Sequence, residues 1–203
     1  FATWLAAGFF CGMFGIVQFH MISARVDSLY VFLTLVFVCA IWRAAEKGGW
    51  FLVIAPLAAV AAVLTKQPAV LVVFAACFWC LCMNSRRARL AAVLCLAAIA
   101  ASQLLPSLAG NPWFFYYLYQ MPSAHPLSWV NVMDFLYRDI VQIFSLGLAA
   151  ALCAFCFSFR EKAGRRDAFL FFLVCGAMII AGALPRIKVG GATNNLIPLA
   201  AAM

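Results

Sequence analysis

Charged residues divide the chain into long apolar runs. Asp, Glu, Lys and Arg are absent from residues 1–24, 28–42, 48–65, 67–85, 90–133, 140–159, 168–185 and 189–203. Most of these runs are near the roughly 20 apolar residues that a helix needs to cross a bilayer. They are continuous and lack the alternation of barrel strands, so they predict transmembrane helices. We expect an all-α, polytopic bundle with about seven spans and the start of an eighth.

Composition supports a membrane location. Hydrophobic residues make up 68% of the 203 residues and charged residues only 10%. Charged and polar side chains must cover the outside of a soluble domain, so this composition excludes one. The chain opens on Phe1 and stops at Met203 inside an apolar run. We therefore expect a fragment of a longer protein, with residues 1–203 forming a single transmembrane domain.

The charge clusters predict the topology when they are assigned alternately to two sides. One side, the inner set, holds nine of the 14 basic residues, and the other side, the outer set, holds five. Lys and Arg in short loops favour the cytoplasmic side, so the inner set is expected there. Topology then accounts for most of the +8 net charge, and no nucleic-acid partner is expected. The inner basic residues are Arg43, Lys47, Arg86, Arg87, Arg89, Arg160, Lys162, Arg165 and Arg166.

The outer set mixes both signs close to the ends of predicted spans, where ionisable groups are costly and tend to be paired or functional. Arg25 and Asp27 are two residues apart and point in different directions on a helix, so each requires another partner. An inter-helix salt bridge and a ligand site remain equal alternatives. Asp134 and Arg138, four residues apart, predict a helix-stabilising pair. The outer charged residues are Arg25, Asp27, Lys66, Asp134, Arg138, Asp139, Arg186 and Lys188.

Lys66 lies at a predicted outer apex between two apolar runs. Pro68 suits the first turn of the second helix and disfavours helix at Gln67, so a tight turn is expected. The ammonium of Lys66 would then lie at the depth of the lipid phosphates. It either extends to the interface as an ordinary anchoring lysine or holds a phosphate.

Two further outer segments carry candidate chemistry. Trp and Tyr are frequent in residues from about 106 to 138, which predicts a loop that lies at the membrane interface. These aromatic residues either anchor the chain or hold a lipid tail or sugar. His125 in this loop is a candidate acid or base. Residues 185–195 combine Arg186 and Lys188 with two glycines and polar residues before a helix, which predicts an anion cradle.

The nine cysteines are predicted to be packing residues. All lie in apolar runs, where reduced Cys behaves as a small hydrophobic side chain. No His, Asp or Glu accompanies them at ligand spacing, so neither a metal site nor thiol redox chemistry is expected.

Four outer segments together resemble a known family: Ala24-Arg25-Val26-Asp27, Thr65-Lys66-Gln67-Pro68, residues 110–117 (GNPWFFYY) and residues 188–195 (KVGGATNN). In this order and spacing they are similar to the membrane core of glycosyltransferases that use polyprenyl-phosphate sugars. These are integral-membrane enzymes of the GT-C fold, close to family 39 and the dolichyl-phosphate-mannose protein mannosyltransferases. The likeness covers nearly the whole chain.

The resemblance implies inverting transfer of a sugar from a lipid-phosphate donor to an unidentified lipid, glycan or protein acceptor at the outer face. It implies that Arg25, Lys66, Arg186 and Lys188 bind the donor phosphate and that Asp27 orients one of these cations. The base is expected in a loop before Phe1, and no cofactor or metal is implied. Residues of a possible donor or acceptor loop are Asn111, Trp113, Tyr116, Tyr117, His125, Asn194 and Asn195.

The expected location is the bacterial inner membrane, with membrane lipids as neighbours and the active face outward. Three alternatives stay open: a non-catalytic membrane subunit that binds polyprenyl phosphate, a membrane thiol oxidoreductase, and a transporter. A thiol oxidoreductase requires a Cys pair at the outer surface, whereas the predicted topology places Cys77, Cys80, Cys153 and Cys156 inside spans or toward the cytoplasm. A transporter requires ionisable or helix-breaking residues at mid-membrane. The charges of this chain instead collect at the outer ends of the runs, which favours an interfacial enzyme.

The alternating assignment of charge clusters to two sides predicts that Lys66 and Arg86 lie on opposite sides of the membrane. Single cysteines introduced at these two positions in a cysteine-free full-length protein should react differently with a membrane-impermeant maleimide applied to intact cells. We expect labelling at position 66 and none at position 86 until the membrane is permeabilised. Equal labelling at both positions in intact cells would refute the predicted topology.

Overall fold

The structure is a computed structural model that describes residues 26–160, 164–191 and 193–202. The first predicted span and Arg25 lie outside these residues. The backbone is helical through most of the described ranges, and they contain no β-strand beyond an isolated bridge between Leu127 and Lys188. The all-α class predicted from the sequence is therefore confirmed for this part of the chain.

The longer helices follow the apolar runs. They are α1 (Val26–Lys47), α2 (Phe51–Thr65), α3 (Ala69–Cys82), α4 (Arg86–Leu108), α8 (Ser145–Arg160) and α9 (Arg165–Arg186). Between α4 and α8 lie α5 (Pro112–Phe115), a π-helical segment Tyr116–Gln120, α6 (Met121–Ser123), α7 (Trp129–Asp134) and a second π-helical segment Phe135–Ile143. A 3₁₀ turn, Thr193–Leu196, precedes α10 (Ile197–Ala202).

Three helices in the described ranges, α1, α4 and α9, are long and apolar enough to cross a membrane. The helical stretch 129–143 and α8 together pass the same test, but they are bent by 70° and form either one broken span or a re-entrant loop. Helices α2 and α3 have 15 and 14 residues. At 1.5 Å per residue they reach only about 21–22 Å, less than the roughly 30 Å hydrocarbon core. The count of seven spans therefore stays a prediction.

The described residues form two compact units, and the single transmembrane domain stays a prediction. The first unit is Phe32–Pro126, and the second contains the described residues of Phe1–Val31 and Leu127–Met203. In the first unit, α2 and α3 each pack against α4. Small residues make up much of these buried faces, including Ala55, Ala58, Ala59 and Ala62 on α2 and Ala88, Ala91, Ala92 and Cys95 on α4.

Small side chains allow close backbone approach, which replaces the hydrophobic driving force that helices lack inside lipid. The cysteines take part in this packing. Cys77, Cys80 and Cys95 are buried, and the Cys77 thiol contacts the Ala92 carbonyl oxygen at 3.9 Å. None of the eight cysteines in the described residues forms a disulfide. The packing role predicted from the sequence is confirmed for these three buried cysteines.

The predicted interfacial loop of residues 106–138 is largely helical, and its first turn explains the Gly110-Asn111-Pro112 motif. Gly110 adopts a φ of +73° after α4, and the Asn111 N–H bonds the Pro106 carbonyl, which closes the helix in a Schellman-like turn. The Asn111 side chain then accepts a bond from the Phe114 N–H at 3.3 Å and so caps α5. Proline is tolerated as the first residue of α5 because no intrahelical partner is required there.

In the second unit, α9 packs against α8, the 3₁₀ turn and α10. Leu170 and Met178 of α9 are almost fully buried, as are Leu196 and Leu199. A Cβ atom at Gly182 would approach the Asn195 carbonyl oxygen to 3.0 Å, so glycine permits this close contact between α9 and the turn.

The small-residue packing of the first unit predicts that bulk is tolerated on only one face of α4. Ala92 is fully buried, whereas Ala97 on the same helix is exposed. Ala92→Leu should lower the free energy of unfolding by about 1–3 kcal/mol because the added atoms must displace neighbouring helices. Ala97→Leu is the matched control and should leave it unchanged. Thermal unfolding of the purified protein in detergent compares them, and equal stability of the two variants would contradict the packing.

Candidate functional site

Burial separates the two charge sets. In the described residues, the buried charged side chains are Asp27, Asp139 and Arg186, which are 3%, 1% and 6% exposed. All three belong to the outer set. Burying a charge is unfavourable unless it is paired and hydrogen-bonded, so these residues mark the part of the molecule where specific polar contacts are formed.

One such contact lies in the second unit, at the end of α9. Arg186 Nε donates to Asp139 Oδ2 at 2.9 Å, and both side chains are almost completely buried. Asp139 lies in the π-helical segment Phe135–Ile143, whose backbone pattern is shown by the Phe144 N–H bonding the Asp139 carbonyl at 3.0 Å. Such segments often occur at functional sites. The ion pair fixes the end of α9 to this segment.

The chain that follows Arg186 is held along its backbone, and we call residues 187–191 the outer loop. The Ser128 N–H donates to the Ile187 carbonyl at 3.0 Å, and the Asn131 side-chain amide donates to the Lys188 carbonyl at 2.7 Å. A longer contact, 3.5 Å, joins Arg186 Nη1 to the Gly191 carbonyl. Side chains and backbone from two helical segments therefore fix the loop at several points.

Glycine is required within the outer loop for two separate reasons. Gly190 adopts a φ of +82°, which side chains other than glycine rarely accept, and the Gly191 N–H closes the turn onto the Lys188 carbonyl at 2.9 Å. A Cβ atom at Gly191 would lie 2.3 Å from the Arg186 carbonyl oxygen, far inside van der Waals contact. The loop thus folds back tightly on the end of α9.

Lys188 is the basic side chain that the outer loop carries beyond the ion pair. It is partly exposed, whereas Arg186 is buried against a carboxylate of opposite charge. The charges of Arg186 and Asp139 largely offset each other. The net positive charge of the loop therefore resides on Lys188, whose backbone is fixed on both sides.

Lys66 lies in the first unit, at the apex that the sequence predicts. Helix α2 ends at Thr65, Lys66 is extended with a φ of −156° and a ψ of 121°, and α3 begins at Ala69. Pro68 stands directly before the first residue of α3, as expected. The tight turn is confirmed, and it leaves Lys66 partly exposed.

The aromatic residues of the first unit form an exposed cluster. Trp113 contacts the rings of Tyr116 and Tyr117 at centroid distances of 6.0 Å, and the two tyrosine rings are 5.2 Å apart. Trp113 and Tyr117 are more than half exposed. His125 is also exposed. The aromatic cluster offers ring faces and hydroxyl groups at the surface, as interfacial belts do.

The other predicted site residues have different surroundings. Asp27 is buried in the first turn of α1, and Arg25, its expected neighbour, lies outside the described residues. Asn195 is buried in the 3₁₀ turn, whereas the side chain of Asn194 lies outside the description. Asn111 acts as a helix cap, which gives it a structural explanation.

The prediction that Asp134 and Arg138 form a helix-stabilising pair is wrong. Both side chains are exposed, and no ion pair joins them in the described structure. The backbone changes from α-helix to π-helix directly after Asp134, so the regular four-residue spacing of an α-helix does not extend to Arg138.

Sequence reasoning did not assign two polar contacts: Asp139 with Arg186, which precedes the outer loop, and Asn131 with the loop itself. Asp139 is the last charged residue before the apolar run 140–159, and Arg186 directly follows the apolar run 168–185. Opposite charges at the ends of two apolar runs on the same predicted side are a signal for such a pair. Nothing in the sequence marks Asn131, because its contact is to a backbone carbonyl.

Comparisons with models of known families, with curated proteins and with solved structures find no match to the chain. The function is therefore inferred from the residues themselves.

The buried ion pair predicts a large and specific loss of stability when one partner is neutralised. Asp139→Asn should destabilise the protein by about 3–5 kcal/mol, because the Arg186 charge stays buried without its carboxylate. Asp134→Asn removes an exposed carboxylate five residues earlier and should have little effect.

Thermal unfolding compares the stability of these two variants with that of Arg186→Met and of the double variant Asp139→Asn/Arg186→Met. The double variant should lose less stability than the two single changes added together, since neither charge is then left alone. Additive losses would show that the two side chains do not interact.

Proposed function

We propose that the chain is part of an integral-membrane glycosyltransferase of the GT-C fold, which transfers a sugar from a polyprenyl-phosphate donor at the outer face of the membrane. The observation that supports this most is the outer loop. A buried ion pair and backbone hydrogen bonds hold it rigidly, and it carries the partly exposed Lys188. A partly exposed lysine on a fixed backbone at the end of a membrane-length helix suits a phosphate at lipid headgroup depth.

The reaction requires two changes at the donor. An acceptor hydroxyl oxygen forms a bond to the anomeric carbon and gives its proton to a base, while the bond from that carbon to the phosphate oxygen breaks. The electron pair of the broken bond stays on the polyprenyl phosphate. Cations that are already fixed in place stabilise this developing charge without a reorganisation cost.

We assign the cations different parts in this proposal. Lys188 is the phosphate-binding residue of the outer loop, because it is partly exposed on a tight turn, and Lys66 is a phosphate ligand on sequence grounds. Arg25 is a further phosphate ligand on sequence grounds. Arg186 contributes chiefly as a positioning residue, because Asp139 already engages its guanidinium group. Asp27 is an orienting carboxylate rather than the base.

The proposal includes the seven-span topology in a bacterial inner membrane. Helices α2 and α3 then cross as a short pair joined at Lys66. Local thinning of the bilayer and the extension of flanking side chains to the interface accommodate such a mismatch at modest cost. Trp50, which is 82% exposed, directly precedes α2, and Lys66 directly follows this helix. The two ends of α2 therefore carry residues suited to the two membrane interfaces.

The test uses the full-length protein in membranes supplied with polyprenyl-phosphate mannose, glucose or arabinose, and it measures release of polyprenyl phosphate. Lys188→Ala and Lys66→Ala should each lower turnover by about a hundredfold or more, as loss of a transition-state contact does. Lys188→Arg should keep part of the activity because it keeps the charge. The matched control is Lys47→Ala, an exposed lysine at the opposite end of α1 from Asp27.

Unchanged turnover in both alanine variants would refute the proposed phosphate site. If the wild-type protein binds polyprenyl phosphate but releases none from any donor, it is a binding subunit and the proposed catalysis is refuted. Expression level and thermal unfolding of each variant show whether a loss of activity arises from a loss of fold.

A further inference from the structure

The helical stretch Trp129–Ile143, which consists of α7 and the π-helical segment after it, exposes a row of large apolar side chains. We call this stretch the 129–143 helix. The row contains every fourth residue, and its members are between 56% and 79% exposed. We call it the apolar stripe, and its residues are Trp129, Met133, Tyr137 and Val141.

A row of polar side chains runs beside the apolar stripe. Each polar residue is the next one along the chain after a member of the apolar stripe, and all of them are exposed. Successive residues on a helix point about 100° apart, so the polar row lies on an adjacent side of the 129–143 helix. We call it the polar stripe, and its residues are Asp134, Arg138 and Gln142.

The remaining side of the 129–143 helix faces the protein. Phe135 and Asp139 are buried there, and Asp139 accepts the bond from Arg186. Asn131 donates to the Lys188 carbonyl from the same side. One side of the helix is therefore fixed to the protein, while an apolar and a charged side are left exposed. A helix with one apolar and one charged side is typical of the membrane interface.

The contacts place the 129–143 helix across the end of α9. Residues 128, 131 and 139 all bond to residues 186–188, which are the last residue of α9 and the two that follow it. Positions 128 and 139 are roughly 16 Å apart along a helix, yet both contact this one short segment. Within the described residues, neither α7 nor the π-helical segment packs lengthwise against α9. The 129–143 helix thus lies at the level where a membrane-length helix ends.

The direction of the 129–143 helix agrees with this position. It meets α8 at a bend of 70°, next to the fully buried Phe144. If α8 crosses the membrane, this bend leaves the 129–143 helix close to the membrane plane. A helix that crossed the membrane lengthwise would instead turn its polar stripe toward hydrocarbon, where ionisable side chains are costly.

We propose that the 129–143 helix lies along the membrane surface at which α9 ends, with its apolar stripe inserted among the lipids and its polar stripe toward water. Lipid is the partner that fits the stripe, because Trp129 and Tyr137 belong to the residue types that favour membrane interfaces. Since Asn131 and Asp139 hold the chain at residues 186–188, the inserted helix also sets the depth of Lys188 relative to the lipid phosphates. The membrane contact does not depend on the proposed transferase activity.

Nitroxide scanning of the full-length protein in nanodiscs tests the proposal. Single cysteines at positions 133, 137 and 141 of a cysteine-free protein carry the spin label, and collisions with oxygen and with a water-soluble nickel chelate report its depth. We expect all three labels to be accessible to oxygen. Their depths should differ by less than about 4 Å, whereas a helix that crosses the membrane would separate positions 133 and 141 by about 12 Å.

Two sets of control labels provide the comparison. Labels at positions 134, 138 and 142 should collide with the nickel chelate more than with oxygen, because the polar stripe faces water. Ile180 and Leu184 are exposed on α9, and labels in their places should differ in depth by about 6 Å. A depth gradient along the apolar stripe like that of α9 would refute the in-plane helix. Labels at positions 133, 137 and 141 that neither reagent reaches would show a protein partner on the stripe and would also refute the proposal.

A second measurement keeps the native cysteines. The photoreactive residue p-benzoylphenylalanine replaces Tyr137 in one variant and the neighbouring Arg138 in the other, and mass spectrometry identifies the adducts in nanodiscs. We expect the yield of lipid adducts from position 137 to be about fivefold or more above that from position 138. Equal lipid yields, or adducts from position 137 chiefly to protein, would contradict insertion of the apolar stripe among lipids.

Discussion

Arg186 and Asp139 bury opposite charges at the boundary between an apolar helix and a polar loop, and the geometry of the second unit around the outer loop depends on this pair. Neither side chain could remain in such a place alone, because an isolated buried charge costs far more than a hydrogen bond returns. The pair therefore fixes where α9 ends relative to the π-helical segment. The turn at Gly190 and Gly191, the contact from Asn131 and the position of Lys188 all follow from that point.

The positions of the helices could be predicted from the sequence, but their lengths and bends could not. Continuous apolar runs correctly predicted helices, and Pro68 correctly placed the turn at Lys66, because both are local properties of the backbone. The lengths of α2 and α3 depend on where each turn closes. The 70° bend after Ile143 and the π-helical segments depend on contacts between distant residues, and hydrophobic periodicity carries no information about them.

The same distinction applies to the candidate site. Charge and position selected Arg186 and Lys188 from the sequence, but only the structure shows that the first is engaged by Asp139 and the second is partly exposed. Two residues that look equivalent as cations thus have different electrostatic roles. Asn111 shows the reverse case. The resemblance placed it in a possible donor or acceptor loop, whereas capping of α5 already accounts for its side chain.

The contrast between the inner and outer sets supports a functional reading of the outer one. Inner charges form exposed contacts: Arg166 meets Asp167 at 3.4 Å with both side chains over a third exposed, and Arg87 donates to the Glu46 carbonyl at 3.2 Å on the surface. Exposed pairs of this kind contribute about 0–1 kcal/mol, so the inner set can serve orientation without specific geometry. The outer set instead buries Asp27, Asp139 and Arg186. Orientation of a membrane protein requires only the presence of basic residues in loops, and it does not require buried carboxylates. Buried and paired charges hold polar segments in fixed positions, which the proposed binding site for a charged headgroup would require and a topology signal does not.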